Sequence, residues 1–217
     1  RVVSSVVERL VYTEDVGGSK PSPPTESSSS EMRSTMAKFL LVSLLSIGAI
    51  LGLSVLPEST WADIDGLPAH PLVIHAVIIL LPLVSLILIF GIYKKRFITK
   101  FHLHLIPATA ATTIFAVIAK SSGEELAKVT FLPKEHAEWG ERLAAVSVAL
   151  LVTLILHVLV TVYKRKKVLA KITSFALLAL AITSMALTYV VGHSGAESVW
   201  KYKYSTAVEQ ANQSDND

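Results

Sequence analysis

The sequence predicts an all-α integral membrane protein: a four-helix antiparallel transmembrane bundle preceded by a signal peptide or an additional N-terminal transmembrane helix. Three observations carry that expectation. Hydrophobic residues make up 52% of the 217-residue chain and charged residues only 17%, below the ~25% charged share of an ordinary soluble domain. The apolar residues are gathered into runs long enough, at ~1.5 Å per residue, to cross a hydrocarbon core of about 30 Å. Positive charge between those runs is concentrated in two short clusters without acids, KKRFITK and YKRKK, as expected of loops held on one side of a membrane.

Residues 1–35 contain KPSPPTESSSSE, too polar and Pro/Ser-rich to bury a core, and are expected to form a disordered segment that need not belong to the native chain. Residues 36–62 read as a signal peptide or first transmembrane helix. Lys38 supplies a basic start, FLLVSLLSIGAILGLSVL an apolar run, and Thr60 and Ala62 the small residues of a cleavage site. That run is also nearly long enough to span.

Residues 63–200 hold the four-helix membrane domain, with helices expected at about 72–93, 103–119, 143–163 and 168–191. Both basic clusters fall between consecutive helices and place those loops in the cytoplasm. The segment between the second and third helices, with Glu124, Glu125, Glu135, Glu138 and Glu141, is expected outside as a long loop. Both ends of the bundle then face outward. Short inside loops force antiparallel neighbours in an up-down-up-down order. Ala108, Ala110, Ala111 and Ala116 on the second helix, and Ala176, Ala179, Ala181 and Ala186 on the fourth, are expected to let helices approach closely. Pro82 and Pro107 are expected to disturb their helices locally. Residues 201–217 form a polar C-terminal tail.

The chain has no cysteine, which removes disulfides, thiolate metal sites, iron–sulfur clusters and covalent c-type haem. The net charge of +3 belongs to membrane-flanking clusters and does not indicate nucleic acid. No phosphate-cradling loop, nucleophile turn or HExxH helix is present, so no catalytic residue is assigned. Polar residues at membrane depth are therefore the functional candidates. His70, His75, His136 and His193 share one level near the outer face. Convergence of ligands from different helices at this level suits a metal or haem iron, and Glu124 and Glu138 are candidate acceptors for a ligand imidazole, Glu124 also a candidate metal ligand. His102, His104 and His157 form a weaker inner level, where His104 and His157 are placed to meet. Against each ligand reading stands a bland one: a helix-entry residue for His70, an interhelical hydrogen bond for His75, close backbone packing beside Gly192 and Gly195 for His193, and a solvated loop for His136. Trp61, Trp139, Trp200, Tyr202 and Tyr204 read as interfacial anchors.

Four stretches in order, GLPAHPLVIHAVIILLPL, SSGEEL, HAEWGE and GHSGAESVW, resemble the actinobacterial branch of a bacterial membrane-protein family catalogued as domain of unknown function 2231. The resemblance covers roughly residues 63–200. It implies a small four-helix membrane bundle and picks out His70, His75, His136, His193 and Glu124 as matching positions. Some relatives are fused to Rieske or cytochrome c modules, which implies redox chemistry by association; this chain carries neither. It also departs from other branches, which have HFPI where this chain has His75-Ala76-Val77-Ile78.

Two functions are expected from different classes. The first is a haem- or metal-binding electron-transfer protein of the bacterial plasma (inner) membrane. His75 and His193 would be its leading ligands and His70 and His136 the alternates, holding haem b or, failing that, copper or zinc on His75, His193, His136 and Glu124. A quinone or a redox protein at the outer face would be its partner. The second is a structural or assembly subunit of a larger membrane complex or homo-oligomer, with no cofactor.

Overall fold

A computed structural model describes residues 26–94, 96–130, 133–164 and 166–214. The disorder expected of residues 1–35 falls on 1–25, outside the described residues, whereas Glu26–Thr35 is helical. The chain divides into a unit of residues 1–36 and a unit of residues 37–217. Helix α1 (Glu26–Ser54) begins in the first and continues in the second, where a 3-10 turn (Glu58–Trp61) and a small hairpin of β1 (Asp63–Ile64) and β2 (Leu67–Pro68) follow it. Then come α2 (Ala69–Tyr93), α3 (Phe97–Val129), α4 (Lys134–Val158) with a π-helical turn at Leu159–Tyr163, and α5 (Lys167–Ser214). All five helices are long and apolar enough to cross a membrane.

The hairpin has a local cause. Asp65 and Gly66 both take positive φ, 52° and 77°, the conformation of a two-residue type I′ turn for which Asp-Gly is the sequence signal. Ala69 N–H donates to Ala62 O at 3.1 Å, which satisfies an otherwise orphaned donor of the first turn of α2. Pro71 sits in that turn, where a missing N–H costs nothing.

Helices α2 to α5 close a ring, each packed on the next and α5 packed on α2, which is the antiparallel four-helix bundle expected. The interior stripe of each helix repeats every three or four residues: Val77, Leu81, Val84, Leu88 and Gly91 on α2; His102, Leu105, Thr109, Thr112, Ala116, Ala119 and Gly123 on α3; His136, Leu143, Ser147, Leu150, Leu154 and His157 on α4; Leu177, Ala181, Ser184, Thr188 and Val191 on α5. Leu81, Leu88, Ile106, Leu150, Leu154 and Leu177 are fully buried. In lipid, apolar contact alone gives little drive to associate, so close packing and interhelical hydrogen bonds matter more. Hydroxyls supply these: Ser85 Oγ lies 2.8 Å from Ser184 Oγ between α2 and α5, and Thr113 Oγ1 donates to Ser147 O at 3.1 Å between α3 and α4. The alanine faces expected to do this contribute Ala110, Ala116 and Ala181, while Ala108, Ala111, Ala179 and Ala186 are exposed. Serine and threonine are comparably small, and they add a donor.

The second membrane helix is much longer than 103–119. α3 runs on through Pro107 to Val129, and α5 carries GHSGAESVW in helical form. Lys120 pairs with Glu124 at 2.6 Å and Lys128 with Glu125 at 2.7 Å, and such i,i+3 and i,i+4 pairs support a helix that composition alone would end at Ala119. The expected loop of Glu124, Glu125, Glu135, Glu138 and Glu141 is thus mostly the ends of two helices.

Candidate functional site

His70 enters from the first turn of α2. Its Nδ1 lies 2.8 Å from Ala119 O on α3. A carbonyl only accepts, so Nδ1 carries the proton and Nε2 keeps its lone pair. His136 stands on α4, 6% exposed, with Nδ1 2.9 Å from Ser194 Oγ on α5. That hydroxyl is itself 3.2 Å from Val191 O; with its proton on that carbonyl, the Nδ1–H of His136 donates to Ser194 and Nε2 keeps its lone pair, the tautomer that matches His70. The two rings are 6.3 Å apart between centroids and perpendicular.

Both rings occupy space that a glycine leaves. A Cβ at Gly123 would lie 3.0 Å from His70 Cε1 and Nδ1, and one at Gly195 would lie 3.0 Å from His136 Cε1. The four sequence motifs therefore meet in two pairs at one end of the bundle: GLPAHP against SSGEE, and HAEWGE against GHSGAE.

Between the four ring helices the two imidazoles line a chamber of about 230 Å³. Its apolar lining includes Ile74, Val77, Leu143 and Val191, and its polar lining includes Lys120, Glu124, Lys134, Glu138 and Glu141. Lys120 holds Glu124, and Arg142 lies 3.5 Å from Glu138, so the rim carries both signs of charge. His136 also lines a more open groove with Glu135, Ser194, Glu197, Ser198 and Lys201.

The remaining candidates are elsewhere. His75 is exposed on α2 and its Nδ1 contacts Pro71 O of its own helix. His193 is exposed on α5, its ring 6.0 Å from that of Tyr189. Neither lines the chamber. At the opposite end, His102 Nδ1 donates to Thr99 O at 2.8 Å and its Nε2 accepts from Tyr163 Oη at 3.2 Å. His157 Nδ1 lies 3.0 Å from Thr173 Oγ1, and His104 is exposed, so the structure does not bring His104 and His157 together.

A family model described as "Predicted membrane protein (DUF2231)" matches residues 66–208. The chain belongs to this family. The matched span of the DUF2231 chain starts in the hairpin turn, takes in α2, α3 and α4 and α5 as far as residue 208, and includes both histidine–glycine pairs. No curated protein and no solved structure matches it.

His75 and His193 line neither the chamber nor the groove, and the chamber, at about 230 Å³, is smaller than the roughly 300–1,000 Å³ of pockets that enclose small molecules and cofactors. No three His, Asp or Glu side chains among the described residues form a metal-holding group. Gly195 was read as allowing close approach beside His193, and the ring it admits is that of His136 from α4; Gly123 and the two rim lysines were not singled out by sequence, and the glycine inside SSGEEL was the available signal.

Proposed function

We propose that this protein binds the headgroup of a lipid-soluble quinol-type electron carrier at the outer face of a bacterial plasma membrane, between His70 and His136. The observation that carries the reading is an amphipathic chamber at one end of a membrane bundle, with two imidazoles whose Nδ1 atoms are committed and whose Nε2 atoms are free to accept a hydroxyl proton. The apolar lining suits a flat ring. The chamber's size suits a headgroup whose isoprenoid tail stays in lipid. The outward placement is supported by Lys94, Arg96, Lys100, Lys164, Lys166 and Lys167 at the opposite end, since basic loops stay cytoplasmic. Electron transfer through such a carrier would require a redox protein at the same face.

The test is a titration of purified protein in nanodiscs with a decyl-tailed benzoquinone, reduced and oxidised, followed through Trp139 fluorescence. Saturable binding that His70→Ala removes and His104→Ala leaves intact supports the proposal. A folded protein with no saturable response overturns it.

A second reading rests on the same hydrogen bonds. His70 ties α2 to α3 and His136 ties α4 to α5, as befits a structural subunit of a membrane complex whose histidines only fix the bundle. The exposed Trp200 and Tyr204 on α5 would then serve a partner subunit. On this reading both histidine variants lose thermal stability and no quinone response exists in the parent protein.

A further inference from the structure

A hydrophobic run that serves only as a cleavable leader needs hydrophobicity but no rotational register. Helix α1 has one. Phe39, Ser43, Ser46 and Ile50 are its buried residues, 1%, 5%, 8% and 6% exposed, and their spacing of four, three and four residues puts them on one helical face. Leu40, Leu41, Leu44, Leu45 and Leu51 lie off that face and are exposed, as a helix flanked by lipid on one side requires.

The buried face has a specific seat. The Phe39 ring lies 4.9 Å from that of Tyr163 and 6.1 Å from that of His102, over the hydrogen bond that joins those two residues. Tyr163 reaches it from the π-helical turn at the end of α4, where Lys164 N–H bonds back to Leu159 O at 2.8 Å. Such turns re-aim side chains and recur at sites with a job to do. Without Phe39, a tyrosine hydroxyl and an imidazole would be uncovered beside the hydrocarbon, where polar groups are costly.

The far end of α1 is also built into the fold. Thr60 N–H bonds to Pro57 O and Ala62 N–H to Ser59 O within the 3-10 turn, which packs on α3. Ala62 O accepts the first N–H of α2. The peptide bond that a signal peptidase would hydrolyse, between Ala62 and Asp63, thus joins the turn to the hairpin and helps to start the bundle.

We infer that α1 is retained in the mature protein as a fifth transmembrane helix, a signal anchor that docks through Phe39 on the Tyr163–His102 pair. The experiment uses the full chain with a C-terminal tag, extracted from bacterial membranes, and reads its intact mass. Because the chain has no cysteine, Phe39→Cys combined with Tyr163→Cys can also be probed in the membrane with a short bis-thiol linker, with Leu45→Cys plus Tyr163→Cys as the off-face control. A mass that includes α1, with linking of the first pair well above the control, is the expected result. A mature chain beginning at Asp63 overturns the inference. Retention of α1 with equal linking of both pairs overturns the docking.

Discussion

At the scale of single residues, the histidine–glycine contacts separate packing from composition. His70 is held by its bond to Ala119 O and backs onto Gly123, so an added methyl group cannot be accommodated by a free swing of the ring. Overpacking of this kind costs roughly 1–3 kcal/mol, against ~0.5–1 kcal/mol gained when alanine replaces glycine within a helix. Gly123→Ala and Gly195→Ala are each expected to destabilise by about 1 kcal/mol, or a few degrees in Tm, and to weaken any ligand held at the chamber. Gly140→Ala is the control: its Cβ would meet nothing within 4 Å, so its Tm should hold or rise. Thermal melts of the three variants in one detergent check this. The same positions explain what the sequence could yield. At about 100° per residue, His75 lies some 140° around α2 from His70, and His193 lies two residues off the Val191–Gly195 stripe. Depth was legible, and it grouped the four histidines. Facing was not, because nothing in so uniformly apolar a helix marks the inner side until its neighbours are known.

At the scale of elements, the lengths of the membrane helices were partly legible because hydropathy changes at their ends, but the ends of α3 and α4 were not. SSGEELAK carries the composition of a loop, and only its ion pairs and the packing of His70 on Gly123 make helix the better state. Three of the interior stripes have polar or glycine ends three heptads apart: His70 to Gly91, His102 to Gly123 and His136 to His157. Three heptads make about 31 Å of helix, close to the thickness of a hydrocarbon core, so the buried imidazoles mark the two boundaries of the bundle. Between them the helices rely on hydroxyls. Ser85 and Ser184 each also lie within bonding distance of a carbonyl of their own helix, Leu81 O at 2.7 Å and Ala181 O at 2.9 Å, so neither is stranded when the other is removed. A double-mutant cycle of Ser85→Ala and Ser184→Ala, read by unfolding in mixed micelles, should give a coupling of about 0.6 kcal/mol and no more than ~2 kcal/mol, the range of interhelical hydrogen bonds in membranes. Tyr163→Phe removes the donor to His102 Nε2 and should cost about 1 kcal/mol. If α1 is docked as inferred, it should also loosen that helix, seen as greater linker access at Phe39→Cys.

At the scale of the whole molecule, the ring of α2 to α5 is closed by α5 packing back on α2, and the length of α5 beyond the membrane boundary tests how much of it the ring needs. Val191 is the last fully buried residue of its stripe, but Ser194 and Gly195, which receive His136, lie in the next turn. Lys201 and Glu197 pair at 2.9 Å on the exposed side, and an exposed i,i+4 pair contributes little once water screens it. A chain ending at Lys201 keeps Ser194, Gly195 and both histidine–glycine pairs, so its Tm should fall by no more than a few degrees. A chain ending at Val191 loses Ser194 and Gly195 together. His136 then sits against no hydroxyl, its Nδ1–H has no partner there, and a buried donor left unsatisfied costs about 1–3 kcal/mol. Comparison of the two truncations by thermal unfolding in detergent separates the ring from its extension. A steep loss already on ending at Lys201 would mean that the part of α5 beyond Lys201, where Ser205 shares a groove with Glu135 and His136 of α4, carries stability of its own.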